Sequence, residues 1–383
     1  MRFWKHGAIA LLALSAALPV YAQEEDVPTV EIKKENSGAG TTSAEFLLMG
    51  AGARGMAIGP AFAALTRDVE SLYYNPAGLP LMQGMEVGLT MMPYFANSNY
   101  LWAGMAMPLA GGEYGFGISI ANFGFGNTPI YTEEDPTGAS GLSYSVAETV
   151  IGLSFAHAFI DRFTGGITAK LISDKLGQTS ATGVAFDVGT NYHSELGGRP
   201  IALAFVIQNL GSTLKHTGAG LDFTSYPEAA DPSYPSQPAD PMPARYEAQA
   251  SAMPVVFRVG LAYDLLSSTA NRLSLLGEFN EYYNVGASFG FGGEYAWTPE
   301  SLPIAAALRG SYAYQPDNAF TGTEERDWAG ATEIDGDGMD GLTLGGGLAF
   351  NITEGYSLKA DYAWRHFGVL GARNVFTVGL GWR

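Results

Sequence analysis
The feature that most constrains this chain is a two-residue alternation of apolar and polar side chains that returns fourteen times after residue 85. The clearest instance runs from Tyr356 to Trp364: Tyr356, Leu358, Ala360, Tyr362 and Trp364 share one face, and Ser357, Lys359 and Asp361 share the other. A strand turns successive side chains to opposite sides, so such a segment has one apolar and one wet face. Phe163, Ile167, Ala169 and Leu171 stand in the same way against Thr164, Thr168 and Lys170. Val184, Phe186, Val188 and Tyr192 oppose Asp187 and Asn191. Val255, Phe257, Val259, Leu261 and Tyr263 oppose Arg258, Gly260 and Asp264, and Leu273, Leu275 and Phe279 oppose Arg272, Ser274 and Glu278.

This pattern predicts strands over 86–92, 100–107, 113–121, 148–156, 163–173, 182–193, 200–209, 254–264, 272–280, 286–297, 303–312, 342–351, 356–364 and 374–382. Most have about the 9–11 residues with which a tilted strand crosses a bilayer. The first three are the least regular, because Gly and Met blur their alternation. The connections supply a second argument. If the segment before the first strand is periplasmic, the periplasmic turns are 108–112, 157–162, 194–199, 265–271, 298–302 and 352–355, all short. The three long connections, 122–147, 210–253 and 313–341, all fall on the other side. Short periplasmic turns with longer outward loops mark an outer-membrane barrel. A soluble sandwich alternates too, but nothing in it sorts loop length by side.

Composition agrees. Charged residues are 15% of the 383, against roughly 25% in soluble domains. A mean hydropathy of only +0.06 excludes a bundle of membrane helices. Gly is abundant, at 50 residues, and aromatics reach 12%, as suits walls that alternate between lipid and water. The net charge of -18 speaks against nucleic acid as a partner, since phosphate contacts need Lys and Arg. With no cysteine, disulfides, Cys-ligated metals, thiol catalysis and a lipoprotein anchor are excluded.

Arg2 and Lys5, the apolar run Ala8 to Val20 and the small-residue site Val20-Tyr21-Ala22 make residues 1–22 a secretory signal peptide cleaved after Ala22. No other segment nears the ~18 continuous apolar residues of a spanning helix. Residues 23–85 are then an N-terminal segment and hatch, and 86–383 the barrel. Small residues on the presumed lumen face, Gly115, Gly117, Gly152, Gly183 and Gly345, leave room for a plug. Tyr100, Trp102, Tyr192, Tyr295, Trp297, Tyr312, Tyr314, Phe350, Tyr356 and Trp364 lie near predicted strand ends, where aromatic girdles sit. The chain closes on Phe376, Val378, Leu380 and Trp382 on one face, followed by Arg383. This resembles the C-terminal strand by which outer-membrane barrels are recognised for assembly.

Residues 44–79 carry a family resemblance. Gly52-Ala53-Arg54-Gly55-Met56, Ala61-Phe62-Ala63-Ala64-Leu65 and Asn75-Pro76-Ala77-Gly78-Leu79, at this spacing, resemble the start of the PorV/PorQ family, a branch of the FadL-like outer-membrane barrels. Phe155-Ala156-His157 leading into Gly166-Ile167-Thr168-Ala169-Lys170 is similar to that family too. So are Ala185-Phe186-Asp187-Val188-Gly189 and Ile207-Gln208-Asn209-Leu210-Gly211. Ile58-Gly59-Pro60 and Arg67-Asp68 depart from the family pattern. The resemblance implies a fourteen-stranded barrel with an N-terminal hatch in its lumen, and places Asn75-Pro76 near the periplasmic end as a structural turn or part of a gate.

Candidate site residues follow. The hatch motif is Gly50, Gly52, Arg54, Gly55, Met56, Asn75, Pro76, Ala77 and Gly78. Gly50 to Gly55 satisfies G-x-G-x-x-G, but no βαβ pattern surrounds it, so close packing of hatch backbone explains the glycines better than a nucleotide. The lumen charges Lys170, Asp187, Arg258, Asp264, Glu278, Arg309, Lys359 and Asp361 read as a paired lining that holds the hatch. Asp335, Asp337 and Asp340 hint at calcium, but Met339 and Gly346 stand where an EF-hand loop needs ligands, leaving only a weak divalent candidate. The six prolines of 221–243 indicate extended or irregular loop. His157, His193, His216 and His366 are dispersed, with no catalytic triad indicated. No enzyme activity and no cofactor are expected; the partners are outer-membrane lipids. The resemblance implies a non-enzymatic PorV-like accessory of type IX secretion, handling exported proteins beside a translocon. The alternative is FadL-like uptake of fatty acids or other hydrophobic molecules.

Overall fold
The computed structural model describes residues 40–133, 135–225, 241–284, 286–315, 341–353, 355–367 and 370–382. The signal segment and the acidic loop with Asp335, Asp337 and Asp340 lie outside them.

The alternating segments form β1 (Met85–Pro93), β2 (Asn99–Leu109), β3 (Tyr114–Pro129), β4 (Ser143–Ile160), β5 (Phe163–Leu176), β6 (Thr179–Leu196) and β7 (Arg199–Gly211). They continue as β8 (Val256–Ser267), β9 (Asn271–Tyr282), β10 (Gly286–Trp297), β11 (Ile304–Tyr314), β12 (Leu342–Thr353), β13 (Tyr356–His366) and β14 (Ala372–Trp382). Among the described residues these fourteen pair antiparallel in chain order, and β14 pairs with β1 to close the ring. The closing register runs from Met85 opposite Trp382 to Met91 opposite Phe376. Closure leaves no unpaired sheet edge, which a bilayer does not tolerate.

The faces are those the alternation requires. On β6, Asp187 and Asn191 are fully buried while Val184, Phe186, Val188 and Tyr192 are exposed. On β13, Tyr356, Leu358 and Tyr362 are exposed, whereas Lys359 and Asp361 turn inward to Glu86 and Arg309. So broad an apolar exterior suits lipid rather than water. The fold is that of an outer-membrane barrel. Connections at one end are short, such as Asp161–Arg162 and Gly197–Gly198; the long ones gather at the other. Within 221–243, expected to be irregular, the ends pair: Asp222–Ser225 forms a hairpin with Met242–Arg245.

Two of the proposed girdle residues are corrected. Tyr100 and Trp102 are 1% and 2% exposed and point into the lumen. The reason is what they meet there: the Tyr100 hydroxyl donates to the Gly50 carbonyl at 2.6 Å, and Trp102 belongs to the hatch core.

The lumen is filled by the segment Ala44 to Met82. It folds into α1 (Ala53–Ile58), α2 (Ser71–Tyr74) and 3-10 turns at Glu45–Leu48, Gly59–Ala61 and Pro76–Leu81. Pro60, Pro76, Pro80 and the glycines keep each piece short. Met56, Ile58, Phe62, Leu72 and Leu79 are fully buried, each burial contributing about 1.5–3 kcal/mol. The wall accommodates them by lacking side chains. A Cβ on Gly115 would overlap Leu79, one on Gly117 would overlap Leu72, and one on Gly345 would overlap Ala57. The segment starts at the long-loop end, where the Ser43 N–H donates to the Ala252 carbonyl. It finishes at the short-turn end, where the Thr164 hydroxyl donates to the Ala77 carbonyl at 2.7 Å.

Candidate functional site
Three sets of residues converge on the hatch. The first is Asn75-Pro76-Ala77-Gly78. Asn75 is extended (φ -164, ψ 103) and caps the following 3-10 turn by accepting the Ala77 N–H at 3.1 Å. Its Nδ2 donates to the Ala63 carbonyl at 3.0 Å and to the Thr190 carbonyl on β6 at 3.2 Å. One side chain thus joins two parts of the hatch to the wall. Gly189 lies beneath it with no Cβ, because Asn75 fills that space. Gly78 is pressed against Thr66 and Ser71 in the same way. The other glycine-rich motif is also packing. Gly50 and Gly52 have φ of +101° and +72°, and Gly55 lies against Tyr74. The Gly50 N–H donates to the Tyr73 hydroxyl at 3.1 Å, and the Gly55 N–H to Glu70 Oε2 at 2.6 Å. Burial, then the neighbouring Asp68, pushes the Glu70 carboxyl up. Met56 is wholly enclosed.

The second set is charge. Arg54, carried on α1, donates from Nε and Nη2 to both oxygens of Glu294 at 2.8 Å, and also pairs with Asp68. Glu294 is shared with Arg309 at 2.7 Å and Arg272 at 3.2 Å, and Arg309 reaches Asp361 at 2.5 Å. Lys359 pairs with Glu86 at 2.7 Å. Across the lumen Arg258 holds Glu278 at 3.3 Å and Gln208 at 2.7 Å, and Glu278 accepts the Ala63 N–H at 2.8 Å. Gln208 in turn donates to the Tyr73 carbonyl. Asp264 accepts from Ser274 at 2.6 Å. Lys170 meets Asp187 at 2.6 Å and Asn209 Oδ1 at 2.7 Å. The β6–β7 register shifts between Phe186 and Val188. Asn209, at φ 61, turns its N–H onto Asp187 at 2.8 Å. The bulge brings Asp187 and Asn209, residues of two separate family-like motifs, into one buried knot with Lys170. Sequence reasoning found eight of these charges and missed Glu294, Glu86 and Glu70. Arg67 stays exposed.

The third set is apolar and lies toward the long-loop end. Phe46, Leu47, Leu72, Tyr73, Tyr100, Trp102 and Val150, with Lys170, line a pocket of about 20 Å³, room for one water. Above it Tyr94 meets Phe123 at 5.8 Å and Phe367 at 5.4 Å between ring centres. Met49 and Val150, also partly buried, pack against the same core. Arg365 lies 4.7 Å over the Phe367 ring and donates to the Met49 carbonyl at 3.3 Å. The result is an aromatic cluster at the long-loop end and a small pocket between hatch and wall.

Of the histidines, His157 stacks on Tyr114 at 4.9 Å and His216 lies 3.2 Å from Asp174.

No family model matches this chain, and no curated protein matches it. Solved structures do. The CymD monoaromatic hydrocarbon channel aligns with a TM-score of 0.54 at 12% identity, over 88% of this chain and 98% of that one. The Ralstonia pickettii toluene transporter TbuX aligns at 0.50 and 12%, again over 88% and 98%. The Pseudomonas putida toluene transporter TodX aligns at 0.50 and 10%, with the same coverage. At such identity the likeness is one of fold alone.

Proposed function
We propose that this protein is a non-enzymatic outer-membrane channel that admits hydrophobic small molecules from the cell surface. The observation that carries the reading is the aromatic cluster of Tyr94, Phe123 and Phe367 at the long-loop end, with a small, mainly apolar pocket between hatch and wall. Such a surface binds an apolar solute by removing its area from water, at about 25 cal/mol per Å². The hatch stops free diffusion of polar solutes, and the aromatic cluster concentrates apolar ones. The shared fold with hydrocarbon channels supports this reading. The motifs singled out in the hatch, Gly50 to Met56 and Asn75 to Gly78, act in it as structural anchors. Cleavage after Ala22 and export to the outer membrane belong to the same proposal.

The test is uptake of labelled toluene and of a long-chain fatty acid by cells carrying the natural protein or Tyr94→Asp/Phe123→Asp. Uptake above a barrel-free control, falling at least about tenfold in the variant with folding intact, is expected, since two carboxylates would desolvate badly in the cluster. Equal uptake in natural, variant and barrel-free cells sinks the reading.

A second reading keeps one observation of its own. The hairpin of Asp222–Ser225 and Met242–Arg245 stands at the long-loop end with Phe223 and Tyr246 stacked at 4.2 Å and Met242 exposed. It offers rigid aromatic contact area to an exported protein, as the PorV-like role in type IX secretion requires. Deleting residues 221–243 then releases exported proteins from the surface while hydrocarbon uptake continues. The neighbours in fold favour the first reading.

A further inference from the structure
We propose that the preferred solute carries a carboxylate on an aromatic ring, and that Arg365 and Arg373 receive its charge beside Tyr94, Phe123 and Phe367. The proposal deepens the channel reading above and rests on it for the solute's passage. Arg365 on β13 and Arg373 on β14 stand directly opposite each other across the strand pair, where like charges repel. Both are in phase with the buried Ala363 and Val375, so they face the lumen rather than the lipid. Lumen cations elsewhere are neutralised: Lys170, Arg258, Arg309 and Lys359 each hold a carboxylate within 3.3 Å. Among the described residues Arg365 and Arg373 hold none. Arg365 donates to the Met49 carbonyl at 3.3 Å. Arg373 donates to the Ala372 carbonyl at 2.7 Å, and its Nε–H is buried without an acceptor. A guanidinium has more donors than these bonds use, so acceptors run short where two positive charges meet.

The apolar half of the site is adjacent. Arg365 lies 4.7 Å over the Phe367 ring. Burial pushes the Tyr94 hydroxyl up, and Arg365 and Arg373 both draw it down, so both cations stand close to that side chain. Tyr94 meets Phe123 at 79° and Phe367 at 83°, edge to face, a packing that one more ring extends. The three rings and both arginines are each partly exposed. A carboxylate binds guanidinium through charge-assisted hydrogen bonds and offsets the repulsion between the two cations, while its ring joins the cluster. A neutral hydrocarbon does only the second.

The test is equilibrium dialysis of labelled probes against the whole protein in lipid nanodiscs, with empty nanodiscs as the blank. Benzoate and the neutral benzyl alcohol are of one size. The natural protein should bind benzoate at least tenfold more tightly than benzyl alcohol. Cyclohexanecarboxylate, which has the charge but no aromatic ring, should bind more weakly than benzoate. Arg365→Gln/Arg373→Gln should weaken benzoate at least tenfold and leave benzyl alcohol within twofold, with heat-modifiable gel mobility unchanged. Arg67→Gln, at an exposed arginine of the hatch, should change neither. If the double variant does not fold, the preference of the natural protein and the two single substitutions decide. Equal binding of benzoate and benzyl alcohol, benzoate binding that survives the double substitution, or a parallel loss of both probes overturns the proposal. Cyclohexanecarboxylate binding as tightly as benzoate overturns its aromatic part. If the binding pattern holds while cells take up neither benzoate nor toluene, the channel reading falls and the anion site stands. If toluene enters and benzoate shows no preference, the channel stands and the anion site falls.

Discussion
Asn75→Ala is the sharpest test of how the hatch is held. The substitution removes two donated hydrogen bonds, to Ala63 and Thr190, and the cap accepted from Ala77. Each bond contributes about 1 kcal/mol net, so the hatch is weakened against local unfolding by about 3 kcal/mol. At about 1.4 kcal/mol per factor of ten, the opening constant of the hatch rises about 150-fold. A thiol at Ser71 reports it. That side chain is fully buried and its hydroxyl has no hydrogen-bond partner, so Ser71→Cys is nearly isosteric and inaccessible while the hatch is docked. When reclosing outpaces labelling, the maleimide rate is proportional to the opening constant. Asn75→Ala should therefore accelerate labelling about 150-fold, with the folded barrel unchanged in heat-modifiable gel mobility. Acceleration below fivefold would mean that the glycine-keyed packing alone holds the hatch, and the argument from Asn75 would be wrong.

Other outcomes follow from the same geometry. Glu294→Ala leaves Arg309 and Arg54 facing each other across the site, and should lower barrel stability by about 3–5 kcal/mol, as breaking a buried pair does; urea unfolding from vesicles measures it. Phe205→Arg, on the exposed outer face of β7, should cost about 2–4 kcal/mol in lipid vesicles, and a cost below 0.5 kcal/mol would place that face out of the bilayer. Asp135, in the β3–β4 loop, accepts from the Ser140 and Ala139 N–H groups at 2.8 and 2.9 Å. The hydroxyl and N–H of Ser140, then Ala139, hold its carboxyl down at about 2. A depressed carboxylate contributes stability above its ordinary pKa and loses it as pH falls through the folded value. Protection of the Ala139 and Ser140 amides from hydrogen exchange should thus persist at pH 4 and vanish near pH 2.

The barrel was legible because polar residues mark its wet face. Thr168, Lys170 and Asp187 sit in phase between Ile167, Leu171, Val184 and Phe186, and each turns inward. The marking fails where both faces are apolar. β2 reads Asn-Tyr-Leu-Trp-Ala-Gly-Met-Ala-Met-Pro-Leu, and nothing in that run says that its aromatics meet a hatch rather than lipid. Glu294 is obscured differently. Gly292 and Gly293 precede it, so its parity shows only once β10 is aligned with β11, where Glu294 faces Arg309. The knot at Lys170 depends on Asn209 adopting φ 61, a bulge that the alternation of β7 does not encode. For the aromatic cluster the signal was weaker still. Tyr94 and Phe367 follow the ends of β1 and β13 while Phe123 lies inside β3, and only ring closure brings them together.

The keyed fit between hatch and wall has a consequence for biogenesis. Leu79, Pro76, Asn75 and Ala57 occupy the volumes of absent wall side chains, and the ladder around them is continuous from β1 through β14. A solid insert that interlocks with its sleeve is not slid in after the sleeve is sealed. The segment that precedes β1 has to be in position while the sheet is still open, as a mandrel around which the strands wrap. The last seam, Met85 to Met91 against Phe376 to Trp382, then locks insert and sleeve in one event.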